Sequence, residues 1–192
     1  MVDWINYGIM IVDMQPNFLN SHREEKKREM IAAQRDLIMN GLELEVPIMM
    51  VEYEEEGETI PEIKELLPRG QNIEHIMREG KTSDHDTAFS DVRVQPWLDD
   101  RKVNALLIGG INAGACVLST IYSARNRRLK VATSRDLIGS PGDYELLSWI
   151  TDLIEIYGAA VEDSHVKLIE RLEKSKSQGL PKFFTELTIN PF

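Results

Sequence analysis

Short apolar runs recur along the chain at intervals that leave room for helices. The clearest are residues 7–13 (Tyr-Gly-Ile-Met-Ile-Val-Asp), 47–52, 103–109, 130–134 and 158–162, with a weaker one at 72–77. These runs are near-continuous rather than alternating, which suits strands covered on both faces. Helical patterns fall between them. Residues 23–40 carry Met30, Ala33, Leu37 and Ile38 at helical spacing, with Gly41 as the expected stop. Residues 60–67 predict a short helix ended by Pro68, and 114–128 a helix with Arg125, Arg127 and Arg128 complementing the dipole of its last turn. Residues 144–157, ending at Gly158, and 165–174 complete the set. Alternating strand and helix predicts an α/β fold with a mostly parallel, Rossmann-like sheet of six strands. No repeat or linker divides the chain, so residues 1–192 are expected to form one domain. From about residue 177 the tail shows no clear period.

Length and charge narrow the picture. A chain of 192 residues can bury a substantial single core. Its formal net charge of −10 disfavours phosphate backbones and anionic membranes, so neither nucleic acid nor membrane is an expected partner. A small molecule is. No apolar run approaches the ~18 residues of a membrane helix, and the first residues lack a signal-peptide pattern. One cysteine cannot form an internal disulfide, which points to a reducing cytoplasm. His22, His75, His85 and His165 show no ligand spacing, so no metal or other cofactor is expected. The acidic stretch 52–58 reads as a solvated loop.

In a parallel α/β sheet, function collects at the carboxyl ends of strands. Three residues stand at or near such ends: Asp13, Lys81 and Cys116. Each has an ordinary reading, as a helix cap, a solvated lysine and a buried small hydrophobe. Together they suggest chemistry. Cys116 follows Gly109-Gly110-Ile-Asn-Ala-Gly-Ala, a Gly-rich turn leading into a helix. Backbone N–H groups there stabilise a thiolate and can receive an oxyanion. An ammonium from Lys81 would lower the thiol pKa further, and Asp13 would accept the thiol proton.

These segments resemble the isochorismatase-like cysteine hydrolases, a group that includes nicotinamidases, N-carbamoylsarcosine amidases and isochorismatases. The matching pieces are Ile-Val-Asp13-Met-Gln15, Lys81 before Ala88-Phe89-Ser90, and Gly-Gly-Ile-Asn-Ala-Gly-Ala-Cys116-Val-Leu-Ser-Thr120. The likeness spans roughly residues 7–172. It implies a three-layer α/β/α sandwich, usually dimeric or tetrameric. It also implies an Asp13–Lys81–Cys116 triad that cleaves a C–N bond of a small amide, ureido or carbamoyl substrate through an acyl-enzyme. The same likeness implies a cis peptide at Ile111–Asn112, with the Asn112 and Cys116 N–H groups forming an oxyanion hole. Phe18, Gln15 and Asn112 are the implied substrate contacts, although Asn112 also suits a helix cap.

The chain departs from the family in two places. Nicotinamidases carry metal-binding histidines after the second strand, where this chain reads Glu52-Tyr-Glu-Glu-Glu-Gly57. Neither zinc nor nicotinamidase activity is therefore expected. The stretch from Lys81 to Phe89 is also longer than is usual in the family, although Lys81 is the only lysine between Lys64 and Lys102. His85, Asp84 and Asp86 in that stretch fit a surface loop or the pocket mouth. Arg135 fits a substrate carboxylate or a salt bridge. Two other functions stay open: vinyl-ether hydrolysis of the isochorismate type, and a binding protein that keeps the fold without turnover.

Overall fold

The computed structural model describes residues 5–67, 70, 72–78, 87–141 and 144–179. Its centre is a parallel sheet in the order β3-β2-β1-β4-β5-β7. The strands are β1 (Tyr7–Val12), β2 (Ile48–Tyr53), β3 (Ile73–Arg78), β4 (Ala105–Ile111), β5 (Lys130–Ser134) and β7 (Ala160–Glu162). A two-residue strand, β6 (Ile138–Gly139), adds a seventh beside the end of β4. The sequence pattern passes over β6 because two residues carry no periodicity.

Burial follows strand position. Every residue of β2 and β4 is buried, as are Ile9, Met10, Ile11 and Val12 of β1. Each such aliphatic side chain contributes about 1.5–3 kcal/mol. β3 is an edge strand and mixes apolar with polar residues, which explains its weak signal. β1 pairs with β2 on one side and β4 on the other. The chain thus runs outward from β1 to β3 and then returns to β1's other flank. The crevice between the carboxyl ends of β1 and β4 is the switch point at which such sheets bind ligands.

The helices are α1 (Pro16–Leu19), α2 (Glu24–Glu43), α3 (Pro61–Lys64), α4 (Val94–Asp100), α5 (Leu118–Asn126), α6 (Tyr144–Ile156) and α7 (His165–Gly179). Several depart from expectation. Gly41 does not stop α2: a Cβ there would lie 2.4 Å from Ile9 Cδ1, so glycine lets the helix ride close over β1. The helix ends where Glu45 turns left-handed, at φ 51°. The single helix expected over 114–128 is instead a π-helical turn, Ala113–Val117, followed by α5. α7 runs past residue 174 to Gly179, and the rest of the tail lies outside the described residues. α4 escapes the sequence reading because Pro96 interrupts it. That proline sits in the first turn, where no N–H is needed, and Val94, Trp97 and Leu98 are buried. Among the described residues, no helix is long and apolar enough to cross a membrane.

Candidate active site

Asp13 and Cys116 meet at the switch point. Asp13 follows β1, is fully buried, and adopts a left-handed backbone at φ 55°, with its N–H donated to the Val51 carbonyl at 2.9 Å. Such a conformation is uncommon for a residue with a Cβ and turns the side chain out of the strand's alternation. Cys116 lies in the π-helical turn after β4 and is 7% exposed. The Ile111–Asn112 peptide that links strand and turn is cis. The Asn112 carbonyl accepts from the N–H groups of Ala115 (3.0 Å) and Val117 (3.2 Å). The Asn112 side chain makes no cap to this turn, and its Oδ1 is buried without a partner among the described residues. A capping role is thereby removed.

The glycines before the cysteine serve close approach. Gly110 has φ 136°, and a Cβ on it would lie 2.1 Å from the Val12 carbonyl oxygen, one residue before Asp13. Behind it, the Leu137 carbonyl accepts from the Gly110 N–H at 3.0 Å and from Gln34 Nε2 at 2.8 Å. The Leu137 loop is held by Asp136, which accepts from Ser134 Oγ and from the His165 N–H that opens α7. The Asp136 carboxyl is partly buried, which opposes its charge. The hydrogen bonds from Ser134 and His165 outweigh this and hold its pKa below the usual value.

The cation on Asp13 among the described residues is Arg78, at the end of β3. Its Nη2 donates to Asp13 Oδ1 at 2.7 Å and to Oδ2 at 2.5 Å. Its guanidinium lies 4.0 Å from the centre of the Tyr53 ring, and Tyr53 meets Phe18 edge-on at 5.9 Å. Arg78 is 1% exposed. Burial disfavours its charge, but the Asp13 charge and hydrogen bonds more than offset this and raise its pKa. Breaking such a buried pair from one side costs about 3–5 kcal/mol. Lys81, with Asp84, His85 and Asp86, lies outside the described residues.

The environment also sets the state of the thiol. Burial comes first, then the Asp13 charge and hydrogen bond; together they push Cys116 up to about 12, against the opposing pull of Arg78. The sequence suggests a stabilised thiolate, whereas burial and the Asp13 carboxylate favour the neutral thiol. The difference is physical: burial first, and the adjacent carboxylate after it, oppose a negative charge on the sulfur more strongly than the cation favours it.

Gln15 is committed elsewhere than the sequence suggests. It is fully buried, its Nε2 donates to the carbonyls of Tyr53 (2.7 Å) and Gly57, and its Oε1 accepts from the Tyr53 N–H at 2.8 Å. It therefore ties the acidic loop to the end of β1, and its polar atoms face backbone. Glu52 is likewise built in, accepting from the Thr59 N–H at 2.6 Å. Ala88 and Phe89 are anchored near α5 by the Ala88 N–H, which donates to Thr120 Oγ1 at 2.9 Å.

The Isochorismatase domain family matches residues 7–165. The chain belongs to the isochorismatase family. Among solved structures, this isochorismatase-family protein is similar to the MAR1 ribonuclease of Caenorhabditis elegans, at 21% identity and a TM-score of 0.73, covering 100% of this chain and 98% of that one. It is also similar to YcaC from Pseudomonas aeruginosa, at 17% identity and 0.75, covering 91% and 85%. The nicotinamidase SaPncA from Staphylococcus aureus follows at 18% and 0.69, covering 82% and 99%. At these identities the likeness carries the fold. No curated protein matches the chain.

Proposed function

We propose that this protein hydrolyses a C–N bond in a small amide, ureido or carbamoyl compound, with Cys116 as nucleophile and Asp13 as general base and acid. The supporting observation is the buried Cys116–Asp13 pair at the switch point. The Cys116 sulfur attacks the carbonyl carbon as its proton passes to Asp13, so no free thiolate has to accumulate first. The N–H groups of Asn112 and Cys116 receive the oxyanion. Collapse breaks the C–N bond, and Asp13 returns its proton to the leaving nitrogen. Water then attacks the thioester, giving its proton to Asp13. The C–S bond then breaks, Asp13 passes that proton to the sulfur, and the acid product leaves with the thiol restored. Phe18 and the Asn112 side chain face the substrate in this reading, and Lys81 is the family's counterpart for the cation.

A panel of ureido acids, N-carbamoyl amino acids, nicotinamide and simple amides tests the reading. Wild type should release ammonia or amine from at least one, and Cys116→Ser should lose on the order of 10³-fold in kcat. Equal turnover by the serine variant would remove the cysteine mechanism and leave vinyl-ether hydrolysis as the alternative.

Self-association accompanies this proposal. The E. coli YcaC structure is described as an octameric hydrolase. Here α6 exposes Leu146, Trp149 (62% exposed) and Ile156 (77%), and the Tyr122–Tyr157 ring pair adds further exposed aromatic surface. A patch of this kind fits an interface. Trp149→Glu should shift the solution mass by light scattering toward the monomer; an unchanged mass would place the interface elsewhere.

A further inference from the structure

We propose that Asp36, His165 and Asp136 are positioning residues, forming a proton-dependent clamp that fixes the end of β4 and the Cys116 turn after it. The clamp shares no residue with the reacting pair, and its weight for catalysis rests on the hydrolase reading above. Three elements meet in it. Asp36 comes from α2, His165 is the first residue of α7, and Asp136 stands in the turn between β5 and β6. Nδ1 of His165 lies 2.7 Å from Asp136 Oδ2, and Nε2 lies 3.0 Å from Asp36 Oδ2. A carboxylate only accepts hydrogen bonds, and a neutral imidazole carries a single N–H. Both contacts are therefore made together only by the imidazolium, which donates from each nitrogen.

Loss of that proton opens one contact, and the geometry selects which. Asp136 also accepts from the His165 backbone N–H at 2.9 Å, a bond that does not depend on the ring, and from Ser134 Oγ at the end of β5. Asp36 is the more exposed carboxylate, at 45% against 26%, and its other partner, Asn40, lies on its own helix. The neutral ring keeps Asp136 and releases Asp36. Other charges on the packed elements are engaged elsewhere: Lys26 of α2 with the Arg135 carbonyl, Glu162 of β7 with Arg171, and Lys167 of α7 with Glu170. The clamp reaches the site through the residue after Asp136. The Leu137 carbonyl accepts from the Gly110 N–H and from Gln34 Nε2, and Gln34 stands two residues before Asp36 on α2. Gln34 Nε2 also meets Met14 Sδ at 3.4 Å, next to Asp13 in the chain. α2 thus holds the β5–β6 turn inside through Gln34 and at the rim through Asp36. Releasing the rim contact loosens Leu137, the acceptor that fixes Gly110. Histidine is the side chain whose charge changes across neutral pH, so the clamp is closed in mild acid and open in mild base.

Amide hydrogen exchange of the folded chain, corrected for the intrinsic effect of pH, tests this without substrate. The amides to follow are Gly110, which donates to the Leu137 carbonyl, and Ala115 and Val117, which donate to that of Asn112. Ile48, which donates to the Asn72 carbonyl at the start of β2, is the reference. Between pH 5.5 and 8.5, protection of the three should fall about fivefold relative to Ile48, the size of one partly exposed charged pair. Asp36→Asn should flatten the profile, because an amide donates to a neutral imidazole as readily as it accepts from a charged one. His165→Gln should flatten it too, at the lower level. A merely structural role would lower protection by the same factor at every pH and keep the wild-type slope in Asp36→Asn, which would overturn the proposal. So would a flat wild-type profile, an equal fall at Ile48, or a slope that survives His165→Gln. Slow reaction of Cys116 with iodoacetamide at pH 7 shows that a variant is folded. If His165→Gln is not, Asp36→Asn decides: a flat profile supports the clamp and a wild-type slope overturns it. Exchange needs no turnover, so failure of the hydrolase reading would show separately, in the substrate panel.

Discussion

Asp13→Asn is expected to abolish turnover while making Cys116 easier to alkylate. The two effects point in opposite directions because Asp13 does opposite things to the resting and reacting thiol. At rest its charge and hydrogen bond help push the thiol up to about 12. At pH 7 the thiolate fraction is then about 10⁻⁵, against a few per cent for an ordinary cysteine. Labelling of wild type should therefore be slower than that of a free thiol and rise about tenfold per pH unit up to about pH 12. Removing the Asp13 charge lowers the thiol pKa, leaving burial to raise it and Arg78 to lower it. Labelling at neutral pH should rise at least tenfold. Turnover should fall by roughly 10²–10⁴-fold, because nothing accepts the proton during attack. Asparagine also leaves Arg78 buried without its counter-charge, a loss of about 3–5 kcal/mol, so the comparison is made well below Tm. A variant that labels more slowly than wild type would refute the assigned role.

Gly110→Ala should be the most damaging glycine-to-alanine change among the described residues. The added Cβ would stand 2.1 Å from the Val12 carbonyl oxygen, and φ 136° strains any L side chain. Relief requires β4 to part from β1 at Val12↔Gly110, the register pair that brings the Cys116 turn to Asp13. A destabilisation of at least about 3 kcal/mol is expected, lowering Tm by roughly 6–12 °C. Gly8→Ala serves as the control on the same sheet. Its new Cβ would meet Val103 Cγ1 at 3.1 Å, a contact that a shift of a few tenths of an ångström relieves. Equal melting temperatures for the two variants would show that β4 tolerates the separation.

The sheet and its two central strand ends were legible because they obey a simple rule. β1 and β4 are buried on both faces, so their apolar runs are unbroken, and the first residues to interrupt them mark the site. Arg78 obeys the same strand-end rule but escaped, for two reasons. β3 is an edge strand whose Ile-Glu-His-Ile-Met-Arg sequence has no clean period. The family resemblance also points to a lysine, Lys81, rather than to an arginine. The part played by Tyr53 depends on which residues of β2 and β3 lie side by side, and spacing along one strand does not contain that. Gln15 shows the reverse limit. Its position in the first-strand motif suggested substrate, whereas its amide is taken up by the backbone of the loop after β2. π-helical geometry at Ala113–Val117 likewise has no signature in the spacing of apolar residues, and Ile150 of α6 lies close to Gly114 there.

The buried, neutral thiol has a consequence outside catalysis. Unfolding returns Cys116 to water and to ordinary acidity, so the reagent that barely touches the native protein reacts readily with the opened chain. As the chain's single cysteine, it is an internal gauge of opening. At temperatures approaching Tm, where reaction through opened molecules outruns the slow native reaction, the labelling rate at neutral pH follows the equilibrium population of opened molecules when reclosing is fast. The stability of this protein, and of any variant that spares Asp13 and Arg78, can thus be measured without denaturant, in dilute samples or in cell extracts, by counting modified sulfur.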